Sequence, residues 1–160
     1  MDAATVTCAT CRTKNQVPFV AADAPRCTQC QGFLPWITQA VDSDYTTIAD
    51  SSTVVVCVEL WAAWAQPSRL VGPLLERVVA ERAGRMKLVK VNVEDARRVQ
   101  SKHDARMIPT LLLLWHGEEI GRIPARSSCH SCAAGSTRGS RPRSARPRRL
   151  PDRSAPLTRC

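Results

Sequence analysis

Apolar positions along this chain change their spacing from one segment to the next. Thr53 to Leu60 is a Val-rich run and predicts a buried central strand. From Pro67 to Ala83, Leu70, Val71, Leu74, Leu75, Val78 and Val79 recur at i, i+3/i+4, predicting a helix with one apolar face. Pro73 inside that pattern predicts a kink, and Gly84 a stop. Met86 to Val93 alternates, with Val89, Val91 and Val93 on one face and Lys90 and Asn92 on the other, which predicts a second strand. Glu94 to Asp104 reads as a short polar helix and Thr110 to Trp115 as an apolar strand. His116-Gly117 then reads as a turn and Glu118 to Ile123 as a hairpin partner. Upstream, Asp42-Ser43-Asp44 before Tyr45 predicts a helix start, because these side chains accept the first free amide hydrogens. Strands alternating with helices predict an α/β sheet whose early strands are parallel and whose last pair is antiparallel.

Composition divides the chain further. Its 160 residues fit one small domain with appendages. No apolar run approaches the roughly 18–20 residues of a membrane span, and Met1 to Cys8 has no basic or apolar leader character, so a cytoplasmic protein is expected. The net charge of +9 is unevenly placed: residues 1–123 hold 14 Lys/Arg against 13 Asp/Glu, whereas 124–160 hold nine Arg against Asp152 alone. The basicity therefore belongs to an Arg-, Ser- and Pro-rich tail and says nothing about partners of the rest. No aromatic residue interleaves the Arg138–Arg153 run, so nucleic acid is not an expected partner. The segments read as 1–34, a linker at 35–41, a periodic domain at 42–123 and the tail at 124–160. The tail is either a disordered basic extension or out-of-frame sequence.

The first segment carries Cys8-Ala9-Thr10-Cys11 and Cys27-Thr28-Gln29-Cys30, 15 residues apart. Two such knuckles can arrange four thiolates tetrahedrally around one Zn²⁺, making a zinc ribbon. A segment this short cannot bury enough surface to fold alone, and structural zinc fills that deficit. Two disulfides are the alternative, and they need an oxidising compartment. Four thiolates leave no open coordination position, so the metal's expected role is structural, with recognition of proteins or nucleic acid still open.

Within residues 53–123, Thr53 to Trp64 resembles the strand that leads into the thioredoxin active site. Lys90-Val91-Asn92-Val93-Glu94 resembles that family's third strand, and Ile108-Pro109-Thr110 its cis-proline loop. With the ribbon in front, residues 6–123 resemble the zinc-containing bacterial thioredoxins of the thioredoxin-2 type. The resemblance implies a three-layer fold with a mixed central sheet, and protein-disulfide reduction as the family activity. In that family the tryptophan is followed by Cys-Gly-Pro-Cys, whose first thiolate attacks a substrate disulfide and whose second resolves the mixed disulfide. Here Trp64 is followed by Ala65-Gln66-Pro67-Ser68, so Ala65 and Ser68 stand where the redox thiols would be. Glu59 takes the place of the family's proton-transfer acid; with no thiol to serve, it reads as a partly buried carboxylate with a raised pKa or a local partner. Ile108 and Pro109 would still offer an edge to an extended or unfolded polypeptide, with Trp64 and Trp61 as apolar walls.

The remaining candidates are weaker. Cys57 reads as a buried, inert thiol, and His103 and His116 as solvated. Cys129-His130-Ser131-Cys132 is the only other Cys-x-x-Cys, and Cys160 has no assigned role. The family's final amphipathic helix has no counterpart after Ile123, which predicts a fold incomplete at that end. Three functions follow: a redox-inactive polypeptide-binding module, an oxidoreductase using Cys129 and Cys132, and a decayed product that only binds zinc.

Overall fold

The computed structural model describes residues 3–124. The expected tail, Cys129, Cys132, Cys160 and the missing last helix all lie outside the described residues.

Two strands, β1 (Ala3–Thr7) and β2 (Lys14–Pro18), form an antiparallel hairpin whose turn carries the first cysteine knuckle. Side chains alternate across β2, so Asn15 and Val17 both face inward. Val17, Leu34 and Trp36 pack with Cys8 and Cys27 in a small core of their own.

The second sheet has the order β3-β5-β4-β6-β7. Its members are β3 (Trp36–Gln39), β4 (Val55–Trp61), β5 (Met86–Asn92), β6 (Thr110–Trp115) and β7 (Glu118–Pro124). β3, β5 and β4 run parallel, while β6 and β7 are antiparallel to their neighbours, so the sheet is mixed as expected. The stretch 35–41, expected as a linker, instead holds β3, with Trp36 to Gln39 registered against Lys87 to Lys90. Four residues following Pro35 are too few for alternation to stand out, and pairing with β5 supplies what local pattern does not.

Helix α1 (Gln66–Glu81) runs unbroken with Pro73 inside it. It buries Ser68, Gly72 and Val79 and partly buries Leu75, while Leu70 and Leu74 stay 70% and 59% exposed. The expected apolar face is thus wider than the line of residues that meets the sheet. The helix stops at Glu81, three residues before Gly84. Gly84 instead makes the turn into β5 at φ +84°, and a Cβ there would collide with the Phe33 ring.

On the other sheet face lie a π-helical turn (Thr46–Asp50) and helix α2 (Arg97–Lys102). The main core is on this side, with Tyr45, Ile48, Val58, Leu60, Val91 and Val99 among its members. The helix expected to start at Asp42-Ser43-Asp44 is only this turn, and no side chain caps it. The carboxylate of Asp42 instead accepts the Arg98 and Val99 amides at 3.1 and 2.9 Å, capping α2 from 56 and 57 residues away. Among the described residues no helix is long and apolar enough to cross a membrane.

Candidate functional sites

The four N-terminal cysteines converge. The Sγ atoms of Cys8 and Cys30 are 3.6 Å apart and those of Cys11 and Cys27 are 3.5 Å apart, and all four lie within 4.8 Å of one another. Sulfurs held about 2.3 Å from a central zinc stand about 3.8 Å from each other, so the set fits a tetrahedral ion. The thiols are free, which departs from the disulfide alternative.

Each knuckle is built the same way. Cys8 O accepts the Arg12 amide at 3.0 Å and Cys27 O accepts the Gln31 amide at 3.0 Å. Cys8 N donates to Thr13 O and Cys27 N to Gly32 O. Arg12 and Gln31 both sit in the left-handed region, at φ 62° and 60°, a conformation that is unfavourable for residues with a Cβ and is held here by the turn. Backbone amides at Cys30 and Gln29 pull the Cys27 thiol down to about 6, and amides of its own knuckle lower Cys8. The Gly32 amide favours a Cys30 thiolate, but the crowding sulfurs of Cys8 and Cys11 push that thiol up to about 11. Four thiols this close repel as they ionise, and a bound cation would relieve that repulsion.

The second site lies at the C-terminal end of β4. Leu60 is registered against Thr110, so the residues after β4 and those before β6 share one edge of the sheet. The Ile108–Pro109 peptide bond is cis, Pro109 is buried, and Ile108 packs against the main core. Trp64 is 66% exposed and Met107 43% exposed, leaving apolar surface at this edge. Ala65 is the N-cap residue of α1 and Ser68 lies three positions into the helix; both are buried. Ser68 Oγ has no hydrogen-bond partner among the described residues.

Behind them a cavity of about 170 Å³ is lined by Glu59, Trp61, Ser68, Gly72 and Lys90. Glu59 is 1% exposed, and burial raises its pKa against the opposing pull of Lys90. Lys90 Nζ stands 3.9 Å from Glu59 Oε2 but donates at 2.7 Å to Glu76 Oε1. Glu59 Oε2 is left without a hydrogen-bond partner among the described residues, with the Lys90 ammonium as its nearest opposite charge. Glu59, expected to be partly buried, is instead almost wholly buried, with Lys90 as its charged neighbour.

Cys57 is buried on the α1 side, and burial pushes its thiol up to about 11, which disfavours the reactive thiolate. His103, expected to be solvated, is 7% exposed. Its Nε2 lies 2.7 Å from Tyr45 Oη, and its carbonyl accepts from Arg122 at 2.6 Å. Partners from β7, together with Tyr45, the residue just before the π-helical turn, bury it, which its polar neighbours in sequence do not reveal. His116 is exposed in the β6–β7 turn, as expected.

Two side chains were missed. Buried Lys87 donates from Nζ to Phe19 O and Ile48 O at 2.6 and 2.7 Å. Asn15 sits beside the cysteines, and its one signal in the sequence is a polar residue on the inward face of a strand.

Comparison with known proteins bears on the larger sheet. The family described as Thioredoxin matches residues 37–132, more than half of the chain and including most of β3. The thioredoxin of Haemophilus influenzae is 32% identical over 87 residues, covering 52% of this chain and 81% of that protein. The thioredoxin of Bacillus subtilis is 33% identical over 84 residues, 52% and 79% respectively. The chloroplastic thioredoxin M5 of Oryza sativa is 30% identical over 100 residues, and the match covers 58% of its length.

Proposed function

Because this chain belongs to the thioredoxin family, whose activity is protein-disulfide reduction, we propose that it is a zinc-ribbon thioredoxin of the thioredoxin-2 type that has lost the dithiol chemistry and acts as a polypeptide-binding module. One observation carries the reading. The two positions where the family's chemistry needs sulfur are Ala65, at the N-cap of α1, and Ser68, inside its first turn. A helix N-terminus stabilises a thiolate, but a methyl group offers nothing to ionise and a hydroxyl forms no disulfide. The buried acid Glu59, the cis-proline Pro109 and the exposed indole of Trp64 remain around that position.

What remains supports binding. An extended segment would lie along the backbone at Ile108 and Pro109, using main-chain hydrogen bonds for affinity and the Trp64 surface for apolar side chains. Cys8, Cys11, Cys27 and Cys30 would hold one zinc, which when bound supplies a cross-link between the two knuckles. Free thiols grouped for a metal support a reducing compartment, the cytoplasm.

The test is disulfide-reductase turnover on a model protein disulfide, with zinc-loaded, folded protein and a dithiol electron donor. No turnover, together with saturable binding of an unfolded client, is expected. Turnover that disappears in Cys129→Ser would assign the activity to the Cys129/Cys132 pair and overturn the reading. A folded sample with neither turnover nor client binding would leave a chain that only holds metal.

A further inference from the structure

Asn15 is the side chain through which the two knuckles meet. It is 4% exposed, on the inward face of β2. Its Oδ1 accepts the Thr28 amide at 2.9 Å and the Thr28 hydroxyl at 3.1 Å, both inside the second knuckle. Its Nδ2 donates to Thr13 O at 2.9 Å, the same carbonyl that accepts the Cys8 amide of the first knuckle. The same Nδ2 points at Cys27 Sγ, 3.6 Å away. One buried amide thus satisfies all its polar atoms on groups drawn from both halves of the site, 12 and 13 residues apart in sequence from those of the second knuckle.

We propose that Asn15 is a positioning residue of the metal centre: it holds the second knuckle in register with the first and donates a hydrogen bond to the Cys27 sulfur, so that metal affinity depends on it. This rests on the reading that the four cysteines bind zinc. Four thiolates around a divalent cation carry net negative charge, and an N–H aimed at one sulfur draws off part of it. Oxygen and nitrogen ends have separate tasks here. Thr28 needs the acceptor and Cys27 needs the donor, so an aspartate, which has nearly the shape of asparagine, meets the first need and defeats the second.

The experiment measures zinc affinity by competition with a chelating dye, and records the Co²⁺ absorption spectrum, for the full chain and its Asn15→Ala and Asn15→Asp variants. Loss of an outer-shell partner typically costs 10–100-fold in metal affinity, so Asn15→Ala is expected to weaken zinc binding by about that factor. Asn15→Asp is expected to weaken it at least as much, despite keeping the Thr28 contacts. In both variants the sulfur-to-cobalt charge-transfer band should move to lower energy, because the Cys27 sulfur loses its donor. Gln16→Ala, which removes only an exposed bond to Thr5 on the same hairpin, should change neither readout. An Asn15→Asp variant with unaltered affinity and spectrum would reduce Asn15 to a knuckle brace and overturn the proposal, as would an Asn15→Ala variant with full affinity. Asn15→Asp keeps the test decisive if Asn15→Ala does not fold. A parent chain that takes up neither zinc nor cobalt would sink the zinc reading itself, a different outcome from failure of the variants.

Discussion

At the N-terminal module four sulfurs stand within 4.8 Å of one another, on a backbone of two short knuckles with two residues held at positive φ. At the start of α1 the position is reversed. The buried acid, the cis proline and the helix N-terminus are in place, yet Ala65 and Ser68 carry no sulfur. One site keeps its reactive atoms on very little scaffold; the other keeps its scaffold without the reactive atoms. On the proposed reading, the fold would survive the second kind of loss because its main core is built from other side chains, whereas a module as small as the first is expected to need its cysteines for folding. If the proposed reading holds, the pair illustrates why membership of a family speaks for architecture more firmly than for activity.

The sharpest way to break the contrast is to return the sulfur. Ala65→Cys with Ser68→Cys should give a chain that reduces protein disulfides, where the parent is expected to give no turnover. The single Ala65→Cys variant should form a mixed disulfide and stall, since a well-placed second thiol in the same molecule acts with an effective concentration on the order of 10⁵ M or more. Turnover of the three chains on one protein disulfide, with a common reductant, decides it. A double variant that stays silent while folded would mean that Glu59, Pro109 and Trp64 no longer form a working frame.

Metal removal probes the other half. Structural zinc contributes about 10–16 kcal/mol in small zinc modules. Chelation, or Cys11→Ser, should therefore strip hydrogen-exchange protection from β1 and β2 while β4, β5 and β6 keep theirs. Loss of protection in both regions together would show that the larger sheet also leans on the metal.

Much of this frame is legible along the chain, and the exceptions share a cause. The strands β4, β5, β6 and β7 and helix α1 are visible because their apolar periodicity is long enough to identify itself. The cysteine cluster is visible because its spacing is local and covalent. What stays hidden depends on partners far away in sequence. β3 becomes a strand by pairing with β5. Asp42 has the chemistry of a cap, but the amides it caps belong to α2. His103 is surrounded by polar neighbours in sequence and is buried by Tyr45 from one side and Arg122 from the other. Asn15 and Lys87 are polar residues at inward positions, and only assembly reveals what satisfies them.

Lys87 joins the two regions, and removing it tests how far they stand alone. Its ammonium bridges Phe19 O, next to the β1–β2 hairpin, and Ile48 O, in the π-helical turn, and lies 4.2 Å over the Trp36 ring. Burial depresses its pKa to about 8, so it is held at some electrostatic cost. Lys87→Met leaves two carbonyls unpaired at about 1–3 kcal/mol each, and should cost about 2–6 kcal/mol in denaturant unfolding. Zinc affinity should stay within a few-fold of the parent, because neither bond reaches a knuckle. A large fall in metal affinity would instead make Lys87 part of the metal site's support.

The smallest effect concerns His103 and should leave the cysteine module untouched. Burial lowers its pKa from the ordinary 6.5, and nearby Lys102 and Arg122 act in the same direction against Glu119 and Asp50. Tyr45, the remaining titratable neighbour, stays protonated, since burial lifts its phenol far above neutral pH. With the folded value below the unfolded one, the unfolded chain binds the proton more readily. The contribution of neutral His103 is therefore complete above about pH 6.5 and is lost as the pH falls from there toward the folded pKa, by less than about 1.4 kcal/mol per pH unit, the limit for one proton. Unfolding free energies of the parent and His103→Gln between pH 5 and 7.5 isolate this from Glu59, whose raised pKa acts in the opposite sense. The parent should lose stability relative to the variant as the pH drops, with equal zinc content in both. Parallel curves would mean that the Tyr45 and Glu119 contacts hold the imidazolium as well as they hold the imidazole.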